Sequence, residues 1–114
     1  MDLDIQERGS ACAIKIKGPF KSFDSVREFE KAVETTVESG HIFLILDLEA
    51  MPVIDSSGIG SIVSVLRRSR QIGGDTKLVN PSSFAAKTFK MVGILSLFQV
   101  YETVEDALAA CDQP

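Results

Sequence analysis

The chain has 114 residues, which fits one domain, and 45% of them are apolar, enough for a core at that length. A net charge of −4 argues against a basic nucleic-acid footprint, and no apolar run approaches the ~20 residues of a membrane span. The two cysteines, Cys12 and Cys111, stand at opposite ends with no metal or redox spacing, and the acidic start Met1-Asp2-Leu3-Asp4 is no secretory leader, so a cytoplasmic, reducing setting is expected.

Leu3 and Ile5 alternate with Asp2, Asp4 and Gln6, the period of a half-buried strand. After Arg8-Gly9-Ser10, Cys12, Ile14 and Ile16 alternate with Ala13, Lys15 and Lys17, so an antiparallel hairpin is predicted. Lysines on its outer face would blunt an exposed edge. Both cysteines fall on apolar positions of their elements and are expected to be buried thiols. Gly18-Pro19 ends the second strand. Ser25 with Glu28 is a capping-box pattern. Val26, Phe29, Val33 and Val37 follow at helical spacing up to about Ser39, with Gly40 as the stop.

Residues 42–46 are apolar without alternation, the mark of a central strand covered on both faces. Met51-Pro52-Val53-Ile54 links that strand to Asp55-Ser56-Ser57-Gly58-Ile59-Gly60, and an amphipathic run continues to Ile72. This order reads as strand, tight turn, helix. Ile59, Ile62, Val63 and Leu66 are predicted to form the inward stripe of the helix, which Gly73-Gly74 ends. Residues 76–79 read as a fourth strand, 83–92 as a third helix, and 98–101 as a fifth strand. Thr103 then caps a last helix that turns Val104, Ala107, Leu108 and Cys111 inward.

The predicted order is β-β-α-β-α-β-α-β-α: an α/β fold whose five-stranded sheet is mostly parallel after the opening hairpin, with about four helices. In such sheets functional groups gather beyond the carboxyl ends of the strands. Asp55 to Gly58 falls there, with an acid and two hydroxyls where a helix begins.

Nucleophilic catalysis needs a base in reach of the serine. The only imidazole, His41, precedes the central strand and so stands at the end opposite Ser56. The glycine spacing of a hydrolase elbow is missing around both Ser56 and Ser57. No Walker-type loop is present, and Gly58 and Gly60 are followed by Val63 where a dinucleotide fingerprint needs its third glycine. These glycines more simply let the helix start lie close to a neighbouring backbone. Asp47, Glu49 and Asp55 lack Ca²⁺-loop spacing and read as solvated loop carboxylates. No catalytic residue, metal or cofactor is therefore assigned. What remains is Ser56 as a substrate for phosphorylation, although Asp-Ser-Ser-Gly is also sufficient as plain N-capping chemistry. The residues alone leave Ser56 and Ser57 as competing candidates.

From residue 42 onward the chain resembles the anti-sigma factor antagonists of the STAS domain family. The resemblance rests on Leu44-Ile45-Leu46-Asp47-Leu48, Val53 to Gly60, Arg70 to Gly74, Leu78-Val79-Asn80-Pro81, Phe89 to Leu95 with Phe98, and Thr103 to Leu108. It implies a single STAS domain over residues 1–114 and a partner-switching cycle. The unmodified protein would bind an anti-sigma factor that is itself a serine kinase. That kinase would phosphorylate the first serine after the motif aspartate, here Ser56, and so end the binding. A PP2C-like phosphatase would reset the cycle. ATP and Mg²⁺ would belong to the kinase.

The stretch Gly18-Pro19-Phe20-Lys21-Ser22-Phe23-Asp24 departs from the family's acidic, small-residue pattern. Phe20 and Phe23 would make a sticky patch beside the switch loop if both were exposed, and at least one is expected in the core. The expected partner surface comprises Asp55, Ser56, Ser57 and Gly58, the wet helix face at Ser61, Ser64 and Arg68, and an apolar contribution from Met91 and Ile94. The free chain is expected to be a monomer. The alternative is a non-switching STAS subunit of a lipid-transport or stress-sensing assembly.

Overall fold

The computed structural model describes residues 2–111. One five-stranded sheet runs in the order β1-β2-β3-β4-β5, with β1 (Asp2–Arg8), β2 (Ala11–Lys17), β3 (Phe43–Asp47), β4 (Asp75–Val79) and β5 (Val100–Tyr101). β1 and β2 are antiparallel and every later pairing is parallel. Gly9 takes the positive φ of 57° that the two-residue turn of the hairpin requires. The lysines of this hairpin do not guard an edge. They sit on β2, which is interior, and Lys17 is held by Asp2 and Asp4 of the true edge strand β1.

Alternation along the strands divides the core in two. Cys12, Ile14 and Ile16 of β2, Leu44 and Leu46 of β3, and Leu78 of β4 pack against α1 (Phe23–Glu38), α2 (Ser56–Gln71) and α3 (Ser83–Met91). Ala13, Ile45 and Val79 point the other way, where Ala107 of α4 (Val104–Cys111) meets them. β3 is thus covered on both faces, as its unbroken apolar run requires. β5 is shorter than predicted, because Leu95–Leu97 form a single 3₁₀ turn and Phe98 is still in the approach to the strand.

Three local expectations are corrected. α1 begins at Phe23, so Ser25 lies inside the helix; the N-cap is Ser22, at φ 82°, with no side-chain cap bond. In α2 the inward positions are Gly58, Ser61, Ile62, Val65, Leu66 and Ser69; Val63 is only half-buried. Ser69 is tolerated there because its hydroxyl lies 2.7 Å from that of Thr76 on β4. Cys12 is buried as expected, whereas Cys111 is half-buried at the end of α4.

Candidate functional site

The segments that leave β2 and β3 at their carboxyl ends run side by side before turning into helices. Phe20 and Ile54 form a parallel bridge. Around it, Gly18 N–H donates to the Ala50 carbonyl (3.0 Å), Phe20 N–H to the Val53 carbonyl (2.8 Å) and Asp55 N–H to the Phe20 carbonyl (3.3 Å). The Phe20 ring is fully buried and meets Phe29 edge-on, with centroids 5.0 Å apart. Phe23, by contrast, is 70% exposed. The expectation that at least one of the two enters the core holds, with Phe20 as the one.

Asp55 is the N-cap of α2. Its Oδ1 accepts the Gly58 N–H (2.9 Å) and the Ser57 hydroxyl (2.6 Å), and its Oδ2 accepts the Ser22 N–H (3.2 Å). The Ser57 hydroxyl first, then the Gly58 amide, hold the carboxyl down to about 2 from 3.8, so it is ionised at neutral pH. The Ser22 bond crosses to the other loop and helps fix a backbone conformation that non-glycine residues seldom adopt.

The two serines are therefore not equivalent. Ser57 has its hydroxyl committed to Asp55. Ser56, the first residue of α2, is exposed, and its hydroxyl has no hydrogen-bond partner among the described residues. It stands where the first-turn N–H groups and the positive end of the helix dipole are directed.

The STAS domain family model matches residues 2–107. The chain belongs to the STAS domain family. BtrV of Bordetella bronchiseptica, named as a candidate anti-sigma factor antagonist, is 28% identical over 86 residues, covering 75% of this chain and 74% of BtrV. SpoIIAA of Bacillus, an anti-sigma factor antagonist solved unphosphorylated and phosphorylated, has the same fold. Its TM-scores are 0.82 and 0.77 at 22% identity, over 96% of this chain and 95% and 98% of those chains. An anti-sigma factor antagonist from Mycobacterium paratuberculosis matches with a TM-score of 0.83 at 18% identity, over 98% of this chain and 94% of that one.

Within this STAS domain the expected surface residues separate. Ser64 and Arg68 are exposed on α2, and Arg68 is already tied to Glu34 of α1 at 3.0 Å. Ser61 is not on that face: it is 5% exposed and points inward, because it lies one turn from Gly58 and Val65 on the buried stripe. Gly58 is also buried, and its place is beneath the loop that leads into α2 and not on a contact surface. Met91 is 83% exposed, whereas Ile94 is half-buried against the core. Asp47 is not a solvated carboxylate; it is 9% exposed and accepts the Glu49 N–H at 3.1 Å. His41 precedes β3, at the end away from Ser56, with Nδ1 2.7 Å from the Gly9 carbonyl oxygen. Hydropathy gave no signal for the exposed Phe23, nor for Ser22 as the tie between the loops.

Gly58 explains the glycine of the motif. A Cβ there would lie 2.6 Å from the Phe20 carbonyl oxygen and 2.8 Å from Ile54 Cγ1, closer than real contacts allow. A Cβ on Gly60 would meet only open space. Gly58→Ala is expected to destabilise the domain by about 1–3 kcal/mol from overpacking, despite the helix propensity of alanine, whereas Gly60→Ala should be neutral or stabilising. Urea unfolding of both variants checks this.

The depressed pKa of Asp55 fixes the sign of a pH effect. The unfolded chain binds the proton more tightly than the native state, so stability rises with pH through this range. The contribution of the ionised carboxylate is complete above about pH 4 and is lost as pH falls toward about 2. The gap in melting temperature between wild type and Asp55→Asn, an uncharged cap, should be constant from pH 6 to 8 and shrink through the acid window. Thermal melts across that range read it.

Proposed function

We propose that the chain is a phospho-switched anti-sigma factor antagonist, a binding module with no catalysis of its own. Unphosphorylated, it holds an anti-sigma factor that is a serine kinase. Transfer of phosphate to Ser56 ends the complex, and a PP2C-like phosphatase restores it. The observation that supports this best is the free, exposed Ser56 hydroxyl beside a Ser57 hydroxyl bound to Asp55 at 2.6 Å. A kinase can take Ser56 without breaking the cap. The added charge of about −1.5 to −2 then lies beside the ionised Asp55 on a rigid strand-to-helix turn, so release requires no refolding of the domain. The names of the relatives point to a partner of the anti-sigma factor kind.

The test is recovery of partners from the native host with wild type, Ser56→Ala and Ser56→Asp, together with mass spectrometry of the wild-type protein. Alanine should retain a kinase-type partner, aspartate should lose it, and phosphate should map to Ser56. Recovery of the same transporter or stress-complex subunits by all three would support the non-switching reading instead.

A further inference from the structure

We propose that two copies of the chain pair along β1, antiparallel about a two-fold axis at Ile5, joining the two sheets into one. The Ser10 carbonyl accepts the Phe43 N–H at 3.1 Å, so Ser10 and Cys12 direct their backbone groups toward β3. Ala11, Ala13, Lys15 and Lys17 therefore bond back to β1, where their partners are Arg8, Gln6, Asp4 and Asp2. Leu3, Ile5 and Glu7 are left with N–H and C=O groups directed outward from the sheet; the Glu7 carbonyl accepts the Arg8 guanidinium at 3.2 Å, a contact within β1 that pairing would replace with the Leu3 N–H of a second copy. The opposite edge, β5, is only two residues long and offers no comparable template.

Self-pairing centred on Ile5 uses all of those groups. Ile5 bonds to Ile5 of the second copy and Leu3 to Glu7, each pair exchanging two hydrogen bonds. The side chains agree with this register. On the face that includes Asp2, Asp4, Gln6 and Arg8, Asp2 meets Arg8 of the second copy twice by symmetry, and Asp4 meets Gln6. These are the closer, non-hydrogen-bonded positions, where opposite charges help and like charges hurt most. On the other face the two Ile5 side chains, each 45% exposed in the single chain, cover one another.

Neighbouring registers are worse. Moving the axis to Asp4 sets that carboxylate against its own copy, and moving it to Gln6 leaves Asp2 without a strand residue opposite. Charges on an edge strand ordinarily discourage pairing. Here the sign order, acidic at the start and basic at the end, is complementary to itself when reversed. Lys17 already holds Asp2 and Asp4 at 3.4 and 3.0 Å, so Asp2 would be flanked by a cation on each side.

A single seven-residue edge buries less than the ~1,200 Å² of stable complexes, so the association is weak and concentration-dependent. It leaves the switch free. Ser56 lies beyond the carboxyl end of β3, and the two-fold axis sends the two loops to opposite ends of the joined sheet, where two partners can dock without collision.

Sedimentation equilibrium on the full chain, up to about 1 mM, tests the register. Wild type should show a monomer–dimer equilibrium. Arg8→Asp sets acid against acid at both symmetric pairs, and Asp2→Arg sets base against base, so each alone should dimerise about tenfold more weakly. An equimolar mixture of the two restores both opposite-charge pairs and should regain the wild-type association as a heterodimer. Thermal melts establish that both variants are folded. Should either be unfolded, hydrogen exchange in the wild type reads the same edge: the amides of Leu3, Ile5 and Glu7 should slow as concentration rises. A wild type that stays monomeric, a mixture no heavier than its components, or exchange at those amides independent of concentration overturns the proposal.

Discussion

Phe20→Ala is expected to lower the free energy of unfolding by about 3–5 kcal/mol, the usual range for removing a buried aromatic side chain. The ring is fully buried and edge-on to Phe29, and it lies against the inner side of Gly58 where α2 begins. Its loss empties the junction of α1, α2 and the two loops. The backbone of the same residue bonds to Val53 and Asp55, so the cavity opens beside the segment that holds Asp55 in its capping position. Phe23→Ala is the control: at 70% exposure it should change stability by no more than about 0.5 kcal/mol. Urea unfolding separates the two. Amide exchange at Asp55 and Gly58 should accelerate in Phe20→Ala but not in Phe23→Ala, because only the first residue braces the loop.

Much of this was legible in the sequence because the strongest signals are physical periods. The unbroken apolar run at 42–46 fits a strand covered on both faces, and β3 occupies Phe43–Asp47; Asp55-Ser56-Ser57-Gly58 after it has the capping chemistry that opens a helix, and α2 begins there. What hydropathy missed involves polar groups that find partners far along the chain. Ser69 reads as a surface residue until Thr76 arrives from β4 to share its hydrogen bond. Ser61 reads the same way and is inside without such a partner: its buried hydroxyl makes no hydrogen bond among the described residues. These two serines displaced the predicted stripe of α2 and brought Val65, not Val63, to the core. The start of α1 was misread for a related reason. Ser25 and Glu28 have capping-box spacing, but the chain turns at Ser22, whose N–H is taken by Asp55 thirty-three residues later. Likewise, the choice between Ser56 and Ser57 has no basis in residue type. The family resemblance alone points to Ser56, and the geometry adds that one carboxylate binds the second hydroxyl and leaves the first without a partner among the described residues.

That asymmetry makes the Ser56→Asp variant informative beyond a loss of binding. The new carboxylate would sit at the first turn of α2, where the helix dipole favours negative charge by about 0.3–1 kcal/mol, so the fold should be unchanged or slightly stabilised. Against a docked partner the same carboxylate adds to the ionised Asp55, and like charges confined in an interface cost several kcal/mol. Affinity for the kinase-type partner should therefore fall about 100-fold or more while the melting temperature holds or rises. Misfolding cannot produce that pair of results. Ser57→Ala should do the reverse: it removes a hydrogen bond from Asp55 and lowers stability modestly, yet leaves Ser56 available and the partner bound. Calorimetric titration at two ionic strengths completes the argument. Salt at about 0.1 M already screens exposed charges beyond ~10 Å, so a deficit that vanishes in salt would mean Ser56 lies outside the contact area. A deficit that persists places the position 56 side chain inside the interface, where burial and not long-range repulsion drives release.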